Sequence, residues 1–449
     1  MRIFNFLRPA PAKEQTITDP AELNATYRYW RTRVMYTTMI GYILFYFVRK
    51  NISIAMPAME ADLGITKAEL GLFLTLHGVI YGISKFANGL WGDQSNPRYF
   101  MALGLFLSAS MSLFFGLSSG VLAFGIFWLL NGWFQGMGFP PCANSLTHWF
   151  SPNERGVKFA VWNTSHSIGA ALVLVLNSFL VGYDWRYCFI VPAALGFVGV
   201  GFILNRLRDK PGSLGLPPVE EFKGVVSETA DQDKDDVGFK QFVRRQVFGN
   251  PAIWFLCLAN FFLYTIRYAI LDWGPTFLME MKGVELQRAG WLVATYEGFG
   301  ILGMLVSGWM MDRVFKGRGG RAAFISMLIC SVAVFLFWRL PEESILFYGI
   351  LLSLIGFFIY GPQALVGIIA ANLATKRAAG TAIGLTGFFA YLSTVLSGWG
   401  LGVIVTKSGW SAGFSILVGC GLAATLFFAF TWNAGKVAEI KNEREYKEQ

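Results

Sequence analysis

The sequence predicts an all-α membrane protein of twelve transmembrane helices in two six-helix, pseudo-symmetric bundles, and three observations carry that expectation. Mean hydropathy is +0.49, with 54% apolar and only 14% charged residues, whereas a water-soluble domain usually carries about a quarter charged. Apolar stretches of about 20 residues, enough to cross roughly 30 Å of hydrocarbon, fall near 33–58, 69–91, 99–118, 121–147, 157–181 and 187–205, then 251–279, 289–311, 321–340, 344–370, 378–405 and 410–435. The halves also repeat: Arg49 in GYILFYFVRKNISIAMP and Arg267 in FFLYTIRYAILDW stand 218 residues apart, and Asp93 and Asp312 stand 219 apart. Residues 1–206 and 251–449 therefore read as two copies of one six-helix unit, joined by a linker over 207–250.

Cationic loops stay on the cytoplasmic side of a membrane. Assigning alternate loops to opposite sides places 27 Lys and Arg on the side of both termini and six on the other, which predicts cytoplasmic termini. The net charge of +9 is then a property of topology and not a nucleic-acid surface. MRIFNFLRPAPAKEQ has no apolar core ending in small residues, so no cleaved signal is expected. The five cysteines, Cys142, Cys188, Cys257, Cys330 and Cys420, lie singly in or beside apolar stretches without metal-ligand spacing, and they read as packing residues.

Along the chain, the first span places Tyr42, Tyr46 and Arg49 at i, i+4 and i+7, one helical face. The second repeats the device with His77, Tyr81 and Lys85. Asp93 and Arg98 follow at a loop turn and, with Asp312 and Arg313 in the other half, are expected to form gating bridges between helix ends. In the fourth span Gly132, Gly136 and Gly138 allow close helix approach. Pro140-Pro141 and Gly361-Pro362 occupy matching places where a break in each helix would let it bend. His166 in WNTSHSIG lies among small and polar residues, as a packing histidine or as a titrating donor to an anion. The linker combines Pro and Gly, an acidic SETADQDKDD and a basic KQFVRRQVF, which predicts a partly disordered loop ending in a short interfacial helix.

A guanidinium within the membrane costs roughly 2.5 to 3.5 kcal/mol on insertion scales, so a repeated pair calls for a shared task. Asp272 and Glu297 are the carboxylates within the spans, facing Arg49, Lys50, Lys85, Arg267 and His166. Lys50 lies about 100° round the helix from Arg49 and is expected to pair with Asp272, leaving both arginines to hold a phosphate. Arginine suits that work because its planar fork gives bidentate hydrogen bonds and keeps its charge. Tyr264, at i−3 from Arg267, adds a hydroxyl on a ring that hydrocarbon tolerates.

Taken in order, GYILFYFVRKNISIAMP, YGISKF, SNPRYFM, GWFQGMGFPPC, WNTSHSIG, GLPPVEEF, YTIRYAILDW, GWMMDRVFKGRGG, IYGPQALVG and AAGTAIGLTGFFAYL closely resemble the organophosphate:phosphate antiporters of the major facilitator superfamily. The family includes bacterial glycerol-3-phosphate and hexose-6-phosphate transporters, and the likeness covers nearly the whole chain. It implies a two-bundle fold with a mid-membrane site, in a bacterial plasma (inner) membrane. It further implies that Arg49 and Arg267 hold the phosphate, that Lys85, His166, Tyr42, Tyr46, Tyr81, Tyr264, Tyr360 and Tyr391 line the cavity, and that Lys50, Asp272 and Glu297 form a charge network. YRYWR, WNTSH and RLRDKP look like the hexose-phosphate branch, whereas GMGFPPC, IRYAILDW and LFFAFTWNAGK look like glycerol-3-phosphate transporters. One hexose-phosphate branch carries an Asp and a Lys one turn apart in the eleventh helix, where this chain has Ile383 and Thr386.

The expected activity is exchange of an external organophosphate for internal inorganic phosphate by alternating access, without enzymatic chemistry, cofactor or metal, in a monomer. No GxxxxGK[ST] motif occurs, in keeping with a secondary carrier. A membrane sensor of external hexose phosphate acting on a membrane kinase would keep the same arginines and stands as the alternative. A proton-coupled carrier of cationic drugs would need a cavity of the opposite charge.

Overall fold

The computed structural model describes residues 5–13, 17, 19–223, 241, 243–339 and 344–433. Every regular element among them is helical. Hydrocarbon offers no water to pair with N–H and C=O groups, and a helix closes those bonds within itself. In chain order the helices are α1 (Pro20–Phe47), α2 (Ile52–Leu63), α3 (Lys67–Asp93), α4 (Pro97–Leu117), α5 (Val121–Gln135), α6 (Phe139–Trp149), α7 (Pro152–Leu180) and α8 (Tyr187–Arg206). The single turn α9 (Val219–Phe222) is followed by α10 (Pro251–Lys282), α11 (Leu286–Trp309), α12 (Gly319–Arg339), α13 (Ile345–Leu392) and α14 (Leu401–Phe430).

Among the described residues, ten stretches are long and apolar enough to cross a membrane. One of them, Thr381–Phe430, has 50 residues and would extend about 75 Å as a straight helix, enough for two crossings. Its chain turns at Gly409, where φ is 76°, a left-handed backbone conformation that suits glycine. Arg28, Arg31 and Arg33 make Pro20–Phe47 less apolar than these stretches, yet it runs towards Arg49 as the first span. Twelve crossings follow.

Three helices begin with the same local device. Asp19, Asn96 and Asn250 each precede a proline, and their side-chain oxygens accept from backbone N–H groups two residues on, at 3.2, 3.1 and 3.0 Å. The cap satisfies an orphan donor, and the proline has no N–H to satisfy.

The chain forms two compact units. The first comprises Met1–Ile52, Ile80–Leu176 and Tyr183–Asp235. Its core gathers Phe45, Met101, Leu105, Cys142, Trp149 and Ile203 from α1, α4, α6 and α8. The N-terminal segment crosses one end of this unit: the Leu7 carbonyl accepts from Asn96 N–H at 2.7 Å, and Ala10 N–H donates to Asp209 at 2.7 Å. All five cysteines are buried free thiols.

The second unit comprises Ser53–Val79, Asn177–Gly182 and Asp236–Gln449. Within it α11 and α13 approach closely, since a methyl added at Gly303 would stand 1.9 Å from the Phe357 carbonyl. Between α13 and α14 the backbone takes a π-helical turn over Val395–Gly400. Thr75 of α3 bridges it, donating to the Thr394 carbonyl at 2.7 Å and accepting from Trp399 N–H at 2.8 Å. Lys67, at the start of α3, pairs with Glu60 at 2.6 Å and Glu280 at 2.9 Å.

Two expectations about helices change. The first span is interrupted: α1 stops at Phe47 and α2 starts at Ile52, so Arg49 and Lys50 lie in the break and not on a continuous helical face. Side chains of α5 take up the carbonyls freed at Phe45 and Val48, and one of them also ties the break to α4. Gln135 donates to the Phe45 carbonyl at 3.0 Å, and Asn131 donates to those of Val48 at 3.1 Å and Ser108 at 2.9 Å. Breaks were also expected at both Pro140-Pro141 and Gly361-Pro362. The first is present, between Gln135 and Phe139, but α13 continues through Pro362. There a Cβ on Gly361 would meet the Ser307 hydroxyl at 2.0 Å, so this glycine serves close packing against α11.

In the linker, the acidic Ser227–Asp236 lies outside the described residues. Arg244–Phe248, in the basic stretch, forms one π-helical turn.

Candidate functional site

In the first unit, the break after α1 sets the Arg49 guanidinium against aromatic faces. Its carbon lies 3.9 Å from the Tyr81 ring centroid and 5.2 Å from that of Tyr46. Such stacking is worth about 0.5–1 kcal/mol when exposed and about 2 or more when desolvated. Arg49 is buried, as are Tyr42, Tyr46, Tyr81 and His166. The Tyr42 and Tyr46 rings stand 5.6 Å apart, with Trp162 4.8 Å from Tyr42 and His166 5.9 Å from Tyr46. His166 Nδ1 lies 3.1 Å from the Ser167 hydroxyl. Lys85, half-buried on α3, places its Nζ 4.3 Å from the centre of the Phe139 ring. Lys50 is buried beside Arg49 in the same break.

In the second unit, Arg267 is embedded in the middle of the unbroken α10. One arm, Nη2, donates to the Tyr360 hydroxyl at 3.0 Å, and that hydroxyl donates to Glu297 Oε1 at 2.5 Å. Tyr360 thus couples the guanidinium to the carboxylate while keeping a neutral group between them. Three rings surround the cation, with centroids at 4.7 Å for Tyr360, 5.3 Å for Tyr264 and 5.4 Å for Tyr268. Tyr296 donates to the Arg267 carbonyl at 3.3 Å. The Arg267 Nε, although buried, meets no hydrogen-bond partner among the described residues. This guanidinium is therefore oriented and charge-compensated yet holds a donor in reserve. Asp272 is buried further along α10. Tyr391 is half-buried in the last turn of α13.

The structure groups Tyr42, Tyr46, Arg49, Tyr81 and His166 in one unit, and Tyr264, Arg267, Glu297 and Tyr360 in the other. Sequence reasoning missed Tyr268 and Tyr296, although they adjoin Arg267 and Glu297 in IRY and TYE. It also missed Asn131 and Gln135, whose only sequence signal is a polar residue inside an apolar span. Of the expected gating residues, Arg98 Nε donates to the Leu204 carbonyl at 2.6 Å, tying the start of α4 to the last turns of α8. Arg313 is exposed. The side chains of Asp93 and Asp312 lie outside the described residues.

A family model described as Major Facilitator Superfamily matches residues 38–398. The chain is 42% identical over 442 residues to a probable hexose phosphate transport protein of Chlamydia pneumoniae, covering 96% of this chain and 97% of that one. It is 39% identical over 445 residues to a glycerol-3-phosphate transporter of Bacillus subtilis (strain 168), covering 97% and 100%. It is 38% identical over 425 residues to the membrane sensor protein UhpC of Escherichia coli (strain K12), covering 94% and 97%. Among solved structures, an inward-facing, unoccupied bacterial homologue of the human lysosomal transporter Spinster matches with a TM-score of 0.71 at 16% identity. That match covers 91% of this chain and 97% of the other, and at such identity it speaks to the fold.

Proposed function

Because the chain belongs to the organophosphate:phosphate antiporter family of the major facilitator superfamily, we propose that it exchanges an external organophosphate, glycerol-3-phosphate or a hexose 6-phosphate such as glucose-6-phosphate, for internal inorganic phosphate. The observation that carries this reading is the Arg267 assembly. A buried guanidinium is held by tyrosines, compensated through Tyr360 by Glu297 and left with an unmet donor. A phosphate oxygen is an anionic acceptor suited to that donor, which a cationic drug is not.

Arg49 and Arg267 both serve the substrate phosphate in this reading. Lys85, His166, Tyr42, Tyr46, Tyr81, Tyr264, Tyr360 and Tyr391 contribute hydrogen bonds and ring faces. Lys50, Asp272 and Glu297 form the charge network that rearranges as access alternates, and Asp93, Arg98, Asp312 and Arg313 act at the gates. The functional halves are residues 1–206 and 251–449, joined by 207–250, in a monomer whose termini face the cytoplasm across a bacterial inner membrane.

Closing an empty site would bury cations without their anion, at several kcal/mol per ion even after relaxation. The Tyr360–Glu297 arrangement offsets part of that cost for Arg267, and phosphate loaded from the opposite side removes the rest. The return step therefore needs an anion, which makes the cycle an exchange. Uptake of labelled phosphate into proteoliposomes preloaded with phosphate tests this, with glycerol-3-phosphate and glucose-6-phosphate as competitors. Inhibition by either ester supports the exchanger and ranks its substrates.

The likeness to a sensor protein at 38% identity favours one second reading, a membrane sensor of hexose phosphate. A purified wild-type protein that binds an ester but exchanges no phosphate in liposomes would select it.

A further inference from the structure

At the end of the first unit that carries the N-terminal segment, a cavity of about 560 Å³ is lined by residues of α1, α7 and the chain around α9. Arg28, Arg31, Lys158 and Lys223 are among its lining residues. Its walls are fixed by packing. Tyr27 is fully buried, stacks on Phe222 with ring centroids 4.0 Å apart and planes 8° apart, and its hydroxyl donates to the Pro217 carbonyl. The turn bearing Lys223 is thereby held against α1.

Two of the cations lie against one aromatic ring, with the Arg31 guanidinium carbon 4.8 Å and Lys158 Nζ 5.7 Å from the Phe150 ring centroid. Glu154 pairs with one arm of Arg31. The Arg31 Nε is buried and has no hydrogen-bond partner among the described residues. Glu220 and Glu221 precede the lining residue Phe222 in the turn of α9, so among the described residues four cations stand against three carboxylates. The surplus is positive, and one buried guanidinium nitrogen lacks an acceptor.

Position gives this surplus a direction. On α1, Arg28, Thr32, Met35 and Met39 line the cavity and continue at spacings of three and four residues into Tyr42 and Tyr46, so the cavity heads the helical face that leads to Arg49. Arg31 and Tyr46 are 15 residues apart on α1, about 22 Å of helix, too far to share one small anion.

Resting on the exchange reading above, we propose that this cavity is a second anion site, which captures inorganic phosphate or the phosphate group of a monoester before it moves along α1 towards Arg49. Charge at the mouth of a low-dielectric cleft concentrates counter-ions and raises their arrival rate, an effect that salt suppresses. The phosphate group of an anionic phospholipid has the same chemistry, so the test separates the two sources.

The first arm uses the full chain in detergent with Arg49→Gln and Arg267→Gln, titrated with labelled inorganic phosphate. The expected result is residual binding that weakens roughly tenfold between about 50 and 300 mM salt and vanishes when Arg28→Gln and Lys158→Gln are added. Absence of residual binding by the folded variant overturns the proposal. The second arm keeps both central arginines and places Arg28→Gln, Lys158→Gln in vesicles of purely zwitterionic lipid. The KM for phosphate on that face should rise about five- to tenfold while the saturated exchange rate holds. A KM change seen only with acidic phospholipid identifies a lipid headgroup as the occupant and overturns the substrate role. If the wild type exchanges no phosphate, the exchange reading fails, while the binding arm still decides the cavity.

Discussion

Arg49 lies in an interruption between two helices, stacked on Tyr81 and backed by carbonyls that Asn131 and Gln135 hold. Arg267 lies in an unbroken helix, ringed by three tyrosines and coupled through Tyr360 to Glu297. The two positions match in the sequence repeat, yet the local backbone and the support around each cation differ. The repeat keeps the place of each guanidinium, whereas the surroundings put one arginine in a break between helices and the other within an unbroken helix, coupled through a tyrosine to a carboxylate.

The largest expected effect tests the arginine in the unbroken helix. Arg267→Lys keeps the charge but loses the fork, and phosphate exchange in proteoliposomes should fall by about 100-fold or more. Arg49→Lys should lose less, near tenfold, because the break can adjust around a point charge. Equal losses would show that the backbone difference has no functional weight.

Next comes the charge behind Arg267. Glu297→Gln preserves an acceptor for Tyr360 while removing the negative charge, and the saturated exchange rate should drop by about tenfold, or roughly 1.4 kcal/mol, with phosphate binding retained. The matching test of the first unit is Asn131→Ala. It leaves the Val48 carbonyl at the break without its side-chain donor, at a cost of about 1–3 kcal/mol, read as a lower Tm in detergent together with a higher KM for phosphate. A lower Tm with unchanged KM would separate the break from the site.

Smaller still is the ring beneath Arg49. Tyr81→Phe keeps the cation–π face, whereas Tyr81→Leu removes it, and Kd for phosphate should differ between the two by about two- to tenfold. The smallest effect lies away from both arginines. Burial raises the Glu154 pKa, but hydrogen bonds from Arg31 and Ser151 together with the Arg31 charge bring it below its ordinary value. That depression contributes stability above the unfolded pKa of about 4.3, and the contribution is lost as pH falls through the folded value. Glu154→Gln should flatten the fall of Tm on acidification below about pH 5, and an unchanged slope would assign that fall to other carboxylates.

Much of the architecture was legible in the chain because hydrocarbon imposes one dominant constraint. Apolar length located the spans, and arginines inside apolar stretches marked the candidate site, since a cation there is costly without a task. Tyr42, Tyr46 and Tyr81 were legible by helical spacing from those cations. The interruption at Arg49 was not, because its carbonyls are satisfied by Asn131 and Gln135, more than 80 residues away in sequence. Pro362 misled for the converse reason: a proline suggests a break, but packing of Gly361 against α11 holds α13 continuous.

By itself, the sequence determined the all-helical membrane class, the family and the identity of the cations, because hydropathy and the burial cost of charge act through short stretches of chain. Only the tertiary structure decided that Arg49 sits at a break, that Tyr268 and Tyr296 join Arg267, and that Tyr360 stands between Arg267 and Glu297. Those features depend on which distant helix supplies a donor, an acceptor or a ring face at about 3–5 Å, and no local pattern encodes that choice.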